Sequence, residues 1–345
     1  MIKVFIVDDS LAVRSGFKKI LSGLDDIKIL GEANNPVDAF SVFKRVGMPD
    51  VFILDIEMPK MDGLTFFRKL NEERPTPVII CSTLVTKGSD ALVDALSLGA
   101  ISVIAKPKLQ VKDFLNEYKD DVIEQIRAAA NAKVKFNISL KERTKKITKP
   151  KKSGIPSTHV VAIGSSTGGV QVIEEVLTHL TNPNHPAIVI VQHMPVGFTA
   201  SFAKRLDGLC ENSEVVEAKE GDVLTNGKVF ISPGGIHMEV KKDRFNYKIA
   251  LRDFPKVNSH KPSANVLLTS VAKEAKVAST GFIFTGMGDD GAKGLLLMRE
   301  VGAKTYAQNE KTAVVYGMPK VAVEIGGTDK TLSIFEIIKT INNIK

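Results

Sequence analysis

Between Lys3 and Pro107 the chain alternates five times between a short apolar run and a stretch with helical spacing. The runs are KVFIVDD, KILGEA, DVFILDI, PVIICST and ISVIAKP. In the first intervening stretch Leu11, Val13, Phe17 and Ile20 recur at helical intervals, and further helices are expected over Pro36–Val46, Gly63–Leu70, Asp90–Leu98 and Val111 to about Ala130. A run such as Val51-Phe52-Ile53-Leu54 has no polar face, so it suits an inner strand of a parallel sheet covered by helices on both sides. Residues 1–130 are therefore expected to form one flavodoxin-like, doubly wound (βα)5 domain.

The alternation stops over 131–156, which carries nine Lys or Arg against the single acid Glu142. That segment accounts for the whole formal net charge of +8, and it reads as a solvated basic linker. A surplus confined to a linker is a weak argument for nucleic-acid binding, and none is expected. Alternation resumes over 157–345, with strands at HVVAIG, AIVIVQH, STGFIFTG and KTYAQ. Helices are expected at 169–180, 198–208, 263–275, 291–301 and 332–343, and an antiparallel, hairpin-like excursion over 213–251 around TNGKVFISPGG. This is a second, larger doubly wound α/β domain. Two cysteines, Cys81 and Cys210, make no disulfide framework, the first residues do not read as a signal peptide, and no apolar run approaches the ~20 residues of a membrane helix. A cytoplasmic protein without membrane insertion is expected.

Ligands of open parallel sheets bind beyond the carboxyl ends of the strands. In the first domain those ends carry Asp8 and Asp9, Asp55, Ser82 and Lys106. Three converging carboxylates repel one another and call for a cation; oxygen donors with open positions suit Mg²⁺. Lys106 supplies a fixed positive charge, and the Ser82 hydroxyl could contact an incoming phosphoryl group. The motifs VDDS, LDIEMPKMDG and AKP resemble the receiver domain of two-component response regulators. The resemblance implies phosphorylation of Asp55 by a histidine kinase, with Mg²⁺ on Asp8, Asp9, Asp55 and the backbone of Glu57. Val103 departs from it, standing where the family often has an aromatic switch residue.

The second domain opens on Gly164-Ser165-Ser166-Thr167-Gly168. It lacks the Lys-Ser/Thr ending of a P-loop and fails G-x-G-x-x-G, so it is a poor phosphate cradle. It does fit G-x-S-x-G between a strand and a helix, the setting that thrusts a nucleophilic Ser166 into solvent with the Thr167 N–H free for an oxyanion. A serine needs a base. His193 ends the next strand at the same sheet edge, with His237 and His260 as alternatives; an orienting acid is available at Asp289 or Asp290, and spacing does not choose between them. Gly286 and Gly288 flank Met287, whose amide could also face substrate. The chain order serine, histidine, aspartate matches none of the three familiar triad orders, so the α/β-hydrolase family is not indicated.

Five motifs, IGSSTGG, VQHMP, ISPGGIHM, HKPSANVL and TGMGDDGAKG, resemble the catalytic domain of the protein-glutamate methylesterases of bacterial chemotaxis across 157–345. By motif position the resemblance makes Ser166 the nucleophile, His193 the base and Asp290 the acid, and it places Thr167 and Met287 in the oxyanion and substrate region. It implies a phosphorylation-activated hydrolase of glutamate methyl esters on methyl-accepting chemoreceptors that also deamidates glutamine, with a chemotaxis histidine kinase as phosphodonor and no metal for hydrolysis. The receiver is expected to restrain the hydrolase until Asp55 is phosphorylated. Two departures are Asn265, where the family usually has an acid, and Ser165, where alanine is common. Two other readings are a receiver with a nucleic-acid-binding output and a catalytically silent adaptor.

Overall fold

Residues 1–82, 89–106, 119–132 and 154–344 are described by the computed structural model, which divides into the units Met1–Asn137 and Ile138–Lys345. The first unit runs β1 (Ile2–Val7), α1 (Leu11–Leu21), β2 (Ile27–Ala33), α2 (Pro36–Val46), β3 (Val51–Leu54), α3 (Gly63–Glu73), β4 (Val78–Ser82), α4 (Ser89–Ser97), β5 (Ser102–Ala105) and α5 (Lys119–Ala130). Its sheet has the order β2-β1-β3-β4-β5, with every pairing parallel. All four residues of β3 are buried, as a strand with no polar face requires. Short polar residues set the helix starts: the side chains of Ser10, Asn35 and Asp62 each accept an N–H from the first turn of the helix that follows. Of the helix expected from Val111, residues 111–118 lie outside the described residues, as does most of the basic segment 131–156.

The second unit runs β6 (Val160–Ser165), α6 (Gly169–Thr178), β7 (Ala187–Gln192), α7 (Thr199–Leu209), β8 (Glu214–Glu217), β9 (Lys228–Ile231), β10 (His237–Asp243), β11 (Asn246–Arg252), α8 (Ala264–Glu274), β12 (Ser279–Ile283), α9 (Ala292–Glu300), β13 (Lys304–Gln308), α10 (Met318–Glu324), β14 (Lys330–Leu332) and α11 (Ile334–Asn342). Seven strands form one parallel sheet in the order β14-β13-β12-β6-β7-β9-β8. β6 and β7 are buried along their whole length. The chain leaves β6 toward β7 on one side and later returns to β12 on the other, so the topological switch lies at the carboxyl end of β6.

The excursion over 213–251 is only partly antiparallel. β10 and β11 pair antiparallel from His237↔Arg252 to Asp243↔Asn246. β8 and β9 instead join the large sheet in parallel, β9 lying between β7 and β8. Val229, Phe230 and Ile231 are completely buried, which marks β9 as an interior strand and not one arm of a half-exposed hairpin. The Asn226-Gly227 step turns the chain without reversing it onto a neighbour; Gly227 has φ 76. Two short elements, α10 and β14, have no counterpart among the sequence expectations. No helix among the described residues is long and apolar enough to cross a membrane.

Candidate active site

In the first unit β1 and β3 are neighbours, so Asp8 and Asp55 emerge side by side. Both are buried, whereas Asp9 is exposed. One oxygen from each of the three carboxylates lies within 4.8 Å of the other two. Lys106, just past β5, reaches Asp8 and Asp55 with its Nζ at 2.7 Å from each. The Ser10 N–H donates to Asp8 at 2.9 Å and the Glu57 N–H to Asp55 at 3.3 Å. Burial pushes the Asp55 carboxyl up to about 6 despite the pull of Lys106, and it raises Asp8 in the same way. Among the described residues Lys106 is the one cation paired with the two buried carboxylates, and their hard oxygen donors fit a divalent cation. Ser82 is buried at the end of β4 on the same edge.

In the second unit the candidate residues stand at the ends of three adjacent strands, β7, β6 and β12. The register pairs Ser165 with Gln192, which puts Ser166 and His193 at the next step of neighbouring parallel strands. The His193 N–H donates to the Ser165 carbonyl at 3.1 Å. Ser165 itself is completely buried, and its hydroxyl donates to Gln192 Oε1 at 2.6 Å. The amide of Gln192 then donates to the carbonyls of Ser166 at 2.9 Å and His193 at 3.1 Å. One side chain therefore clamps both turns together, with Ser165 holding its other end. Ser166 is partly exposed, so of the two adjacent serines only the second faces solvent.

The turn after β6 is close-packed. Gly168 has φ 75, and a Cβ there would stand 2.5 Å from Val314. Gly286, in the turn after β12, has Ser166 directly behind it, and a Cβ would come within 2.8 Å of the serine Cβ. The Ser166 N–H donates to the Thr285 carbonyl, while the Thr285 hydroxyl donates to the Thr167 carbonyl at 2.9 Å. Among the described residues the N–H groups of Thr167 and Met287 make no hydrogen bond.

Burial separates the two aspartates that spacing leaves equivalent. Asp289 is exposed; Asp290 is 1% exposed. Neither side chain caps α9, whose N-cap is Gly291. Asp290 instead sits at the N-terminus of α8. Its Oδ1 accepts from the Ser263 hydroxyl at 2.7 Å and the Asn265 N–H at 3.1 Å. Its Oδ2 accepts from the Ala264 N–H at 2.6 Å and from His193 Nε2–H at 2.8 Å. Burial works to raise this carboxyl, yet His193 and these donors hold it below the usual carboxylate range.

With Nε2 committed to Asp290, Nδ1 is the remaining nitrogen of His193. It is buried and has no hydrogen-bond partner among the described residues. No hydrogen bond joins the Ser166 hydroxyl to it among the described residues, and resting sites often close such bonds only around substrate. The alternatives named from sequence fall elsewhere. His237 is spent on Pro255 and Ser263 through its two nitrogens. His260 lies flat on His193, with ring centroids 3.7 Å apart and planes at 17°. Sequence reasoning gave Gln192 and Ser263 no role, although the strand register that pairs Gln192 with Ser165 could have flagged the former.

Fold and site together define a receiver unit joined to a parallel α/β hydrolase unit. Residues 4–117 match the response regulator receiver domain and residues 161–341 the CheB methylesterase domain. A protein-glutamate methylesterase/protein-glutamine glutaminase of Dechloromonas aromatica is 46% identical over 97% of this chain and 96% of its own length. One from Leptospira interrogans is 46% identical over 98% of both chains. The crystal structure of the Thermotoga maritima CheB methylesterase catalytic domain aligns with a TM-score of 0.52 at 37% identity, covering 53% of this chain and 97% of that one. The chain belongs to the CheB methylesterase family and is an enzyme with a receiver domain.

Proposed function

We propose that this enzyme hydrolyses the side-chain methyl ester of glutamate on chemoreceptors, with Ser166 as nucleophile, His193 as base and Asp290 as the orienting acid. The observation that carries the reading is the state of His193, whose backbone is bonded to Ser165: one nitrogen is fixed on a buried carboxylate that three further donors hold, and the other is buried with no partner among the described residues. His193 Nδ1 takes the Ser166 proton as the serine oxygen bonds to the ester carbonyl carbon. Asp290 holds the proton on Nε2 and stabilises the imidazolium. The N–H groups of Thr167 and Met287 receive the oxyanion, each donor being worth roughly 3 kcal/mol of barrier. Nδ1 returns the proton to the departing methoxide, and methanol leaves. A water then gives one proton to Nδ1 and its hydroxide to the acyl carbon; as the acyl–serine bond breaks, Nδ1 returns that proton to the Ser166 oxygen, releasing the glutamic acid side chain and restoring Ser166. The same sequence on a glutamine side chain releases ammonia.

The receiver would regulate this chemistry through phosphorylation of Asp55 by a chemotaxis histidine kinase. Asp8, Asp9, the Asp55 carboxylate and the backbone of Glu57 would hold Mg²⁺, whose charge offsets that of the carboxylates and the incoming phosphoryl group. Lys106, already on Asp55, and Ser82 would contact phosphoryl oxygens. The test uses the full chain with methylated chemoreceptor membranes. Methanol release is expected, and acetyl phosphate with Mg²⁺ should raise it at least about tenfold. Asp55→Asn should keep the basal rate and lose the rise. Absence of methanol release would reject the esterase reading, and an undiminished rise in Asp55→Asn would reject the regulatory one.

A further inference from the structure

We propose that His260 is a positioning residue that braces the His193 ring, and that Asn258 and Asn265 form the latch that keeps it there. The proposal rests on the reading of His193 as the base. A ring held by the single bond from Nε2 to Asp290 can still tilt about that bond, and tilting moves the Nδ1 that the proposed reaction uses as base. A second imidazole stacked on its face at 3.7 Å removes that freedom. It also shields the face of a ring that must carry charge during the reaction.

The brace has to remain neutral, because a second imidazolium would repel the first. Burial, aided by His193 alongside, lowers His260 to about 4, so it stays uncharged at neutral pH. Aromatic stacking of this kind contributes on the order of 1 kcal/mol, enough to bias a ring orientation but not to build the loop that carries it.

That loop is held by a chain of amides. Val257 and His260 exchange both backbone hydrogen bonds at 3.0 Å around Asn258 and Ser259, whose φ values are 50 and 64. Both central residues are left-handed, a turn that Asn tolerates and Ser adopts reluctantly. The Asn258 side chain offsets the cost by reaching out twice. Its Nδ2 donates to Asp289 Oδ1 at 3.0 Å, and its Oδ1 accepts from Asn265 Nδ2 at 2.8 Å. Asn265 Oδ1 in turn accepts the Gly294 N–H at 2.8 Å. The latch therefore ties the His260 turn to α8, to the start of α9, and to the residue preceding Asp290. Asn265 serves as donor to Asn258 and acceptor from Gly294 at once; a carboxylate there could only accept.

The test measures kcat and KM of methanol release for His260→Ala, His260→Phe, Asn258→Ala and the Asn258→Ala/His260→Ala pair in the full chain, each checked for a cooperative thermal transition. His260→Ala should lose about tenfold in kcat with KM nearly unchanged. His260→Phe, which keeps a flat ring without a titrating nitrogen, should recover to within about threefold of the parent. Asn258→Ala should lose about fivefold, and the pair should be no slower than His260→Ala alone, because both act through one contact. The proposal is overturned if His260→Phe is as slow as His260→Ala, if losses multiply in the pair, or if His260→Ala is unimpaired. His193→Gln separates the two readings: full activity there rejects the base assignment itself, whatever the His260 variants do.

Discussion

Ser166→Ala is expected to lower methanol release by about a million-fold while leaving the fold intact. The size follows from the route. Without a hydroxyl no acyl-enzyme forms, and the remaining rate comes only from oxyanion donors acting on water attack, so removing the nucleophile costs nearly as much as removing the whole set of groups. The fold should survive because, among the described residues, the Ser166 side chain makes no hydrogen bond: the local bonds run through its backbone, to Thr285, Gln192 and Gly169. Ser165→Ala should behave differently. Its hydroxyl is buried on Gln192, so its removal loosens the clamp and leaves the nucleophile in place. Measurement of methanol by gas chromatography and of the melting transition by calorimetry checks both halves. A Ser166→Ala enzyme within about tenfold of the parent would reject the covalent route.

Asp290→Asn is expected to lose about ten-thousand-fold in kcat, and it should also destabilise the hydrolase unit. The carboxylate has two donors on each oxygen: Ser263 and Asn265 on one, Ala264 and His193 on the other. An amide offers one oxygen and one NH₂ group, so either orientation aims NH₂ at two donors. If it faces His193 and Ala264, the imidazole must present a bare Nε2 and move its proton to Nδ1, where the base has to be unprotonated. If it faces Ser263 and Asn265, the start of α8 loses its acceptors in a buried site, at roughly 2 kcal/mol or more. Kinetics and a thermal melt on the same preparation separate the two contributions. A variant with near-parental kcat would show that Asp290 is a structural cap for α8 and nothing else.

Much of this was legible in the residues, and the reasons differ from place to place. The parallel sheets follow from strands such as Val51–Leu54 that have no polar face, and the location of both sites follows from what stands at strand ends. That Ser166 and His193 stand at adjacent strand ends could be read because neighbouring parallel strands bring their ends together. The choice between Asp289 and Asp290 could not be read from their own turn. It is made by the N-terminus of α8, some 26 residues earlier in the chain, whose amides bury one carboxylate and leave the other in water. His260 gave no signal of contact with His193 for a similar reason: its loop is placed by Asn258 and Asn265, through bonds that no local periodicity encodes. The TNGK stretch misled because the turn chemistry is real, yet the strand after it is buried on both faces and pairs in parallel. Helix α10 is a single short element whose one sequence mark is a proline in its first turn.

In the proposed reaction Ser166, and not its neighbour, is the residue made nucleophilic by His193. The most direct measurement is reaction of the full chain with a fluorophosphonate probe, followed by intact mass and fragmentation of the peptide that contains both serines. One adduct is expected, on Ser166, retained in Ser165→Ala and nearly abolished in His193→Gln. Label on Ser165, or labelling that ignores the loss of His193, would contradict it.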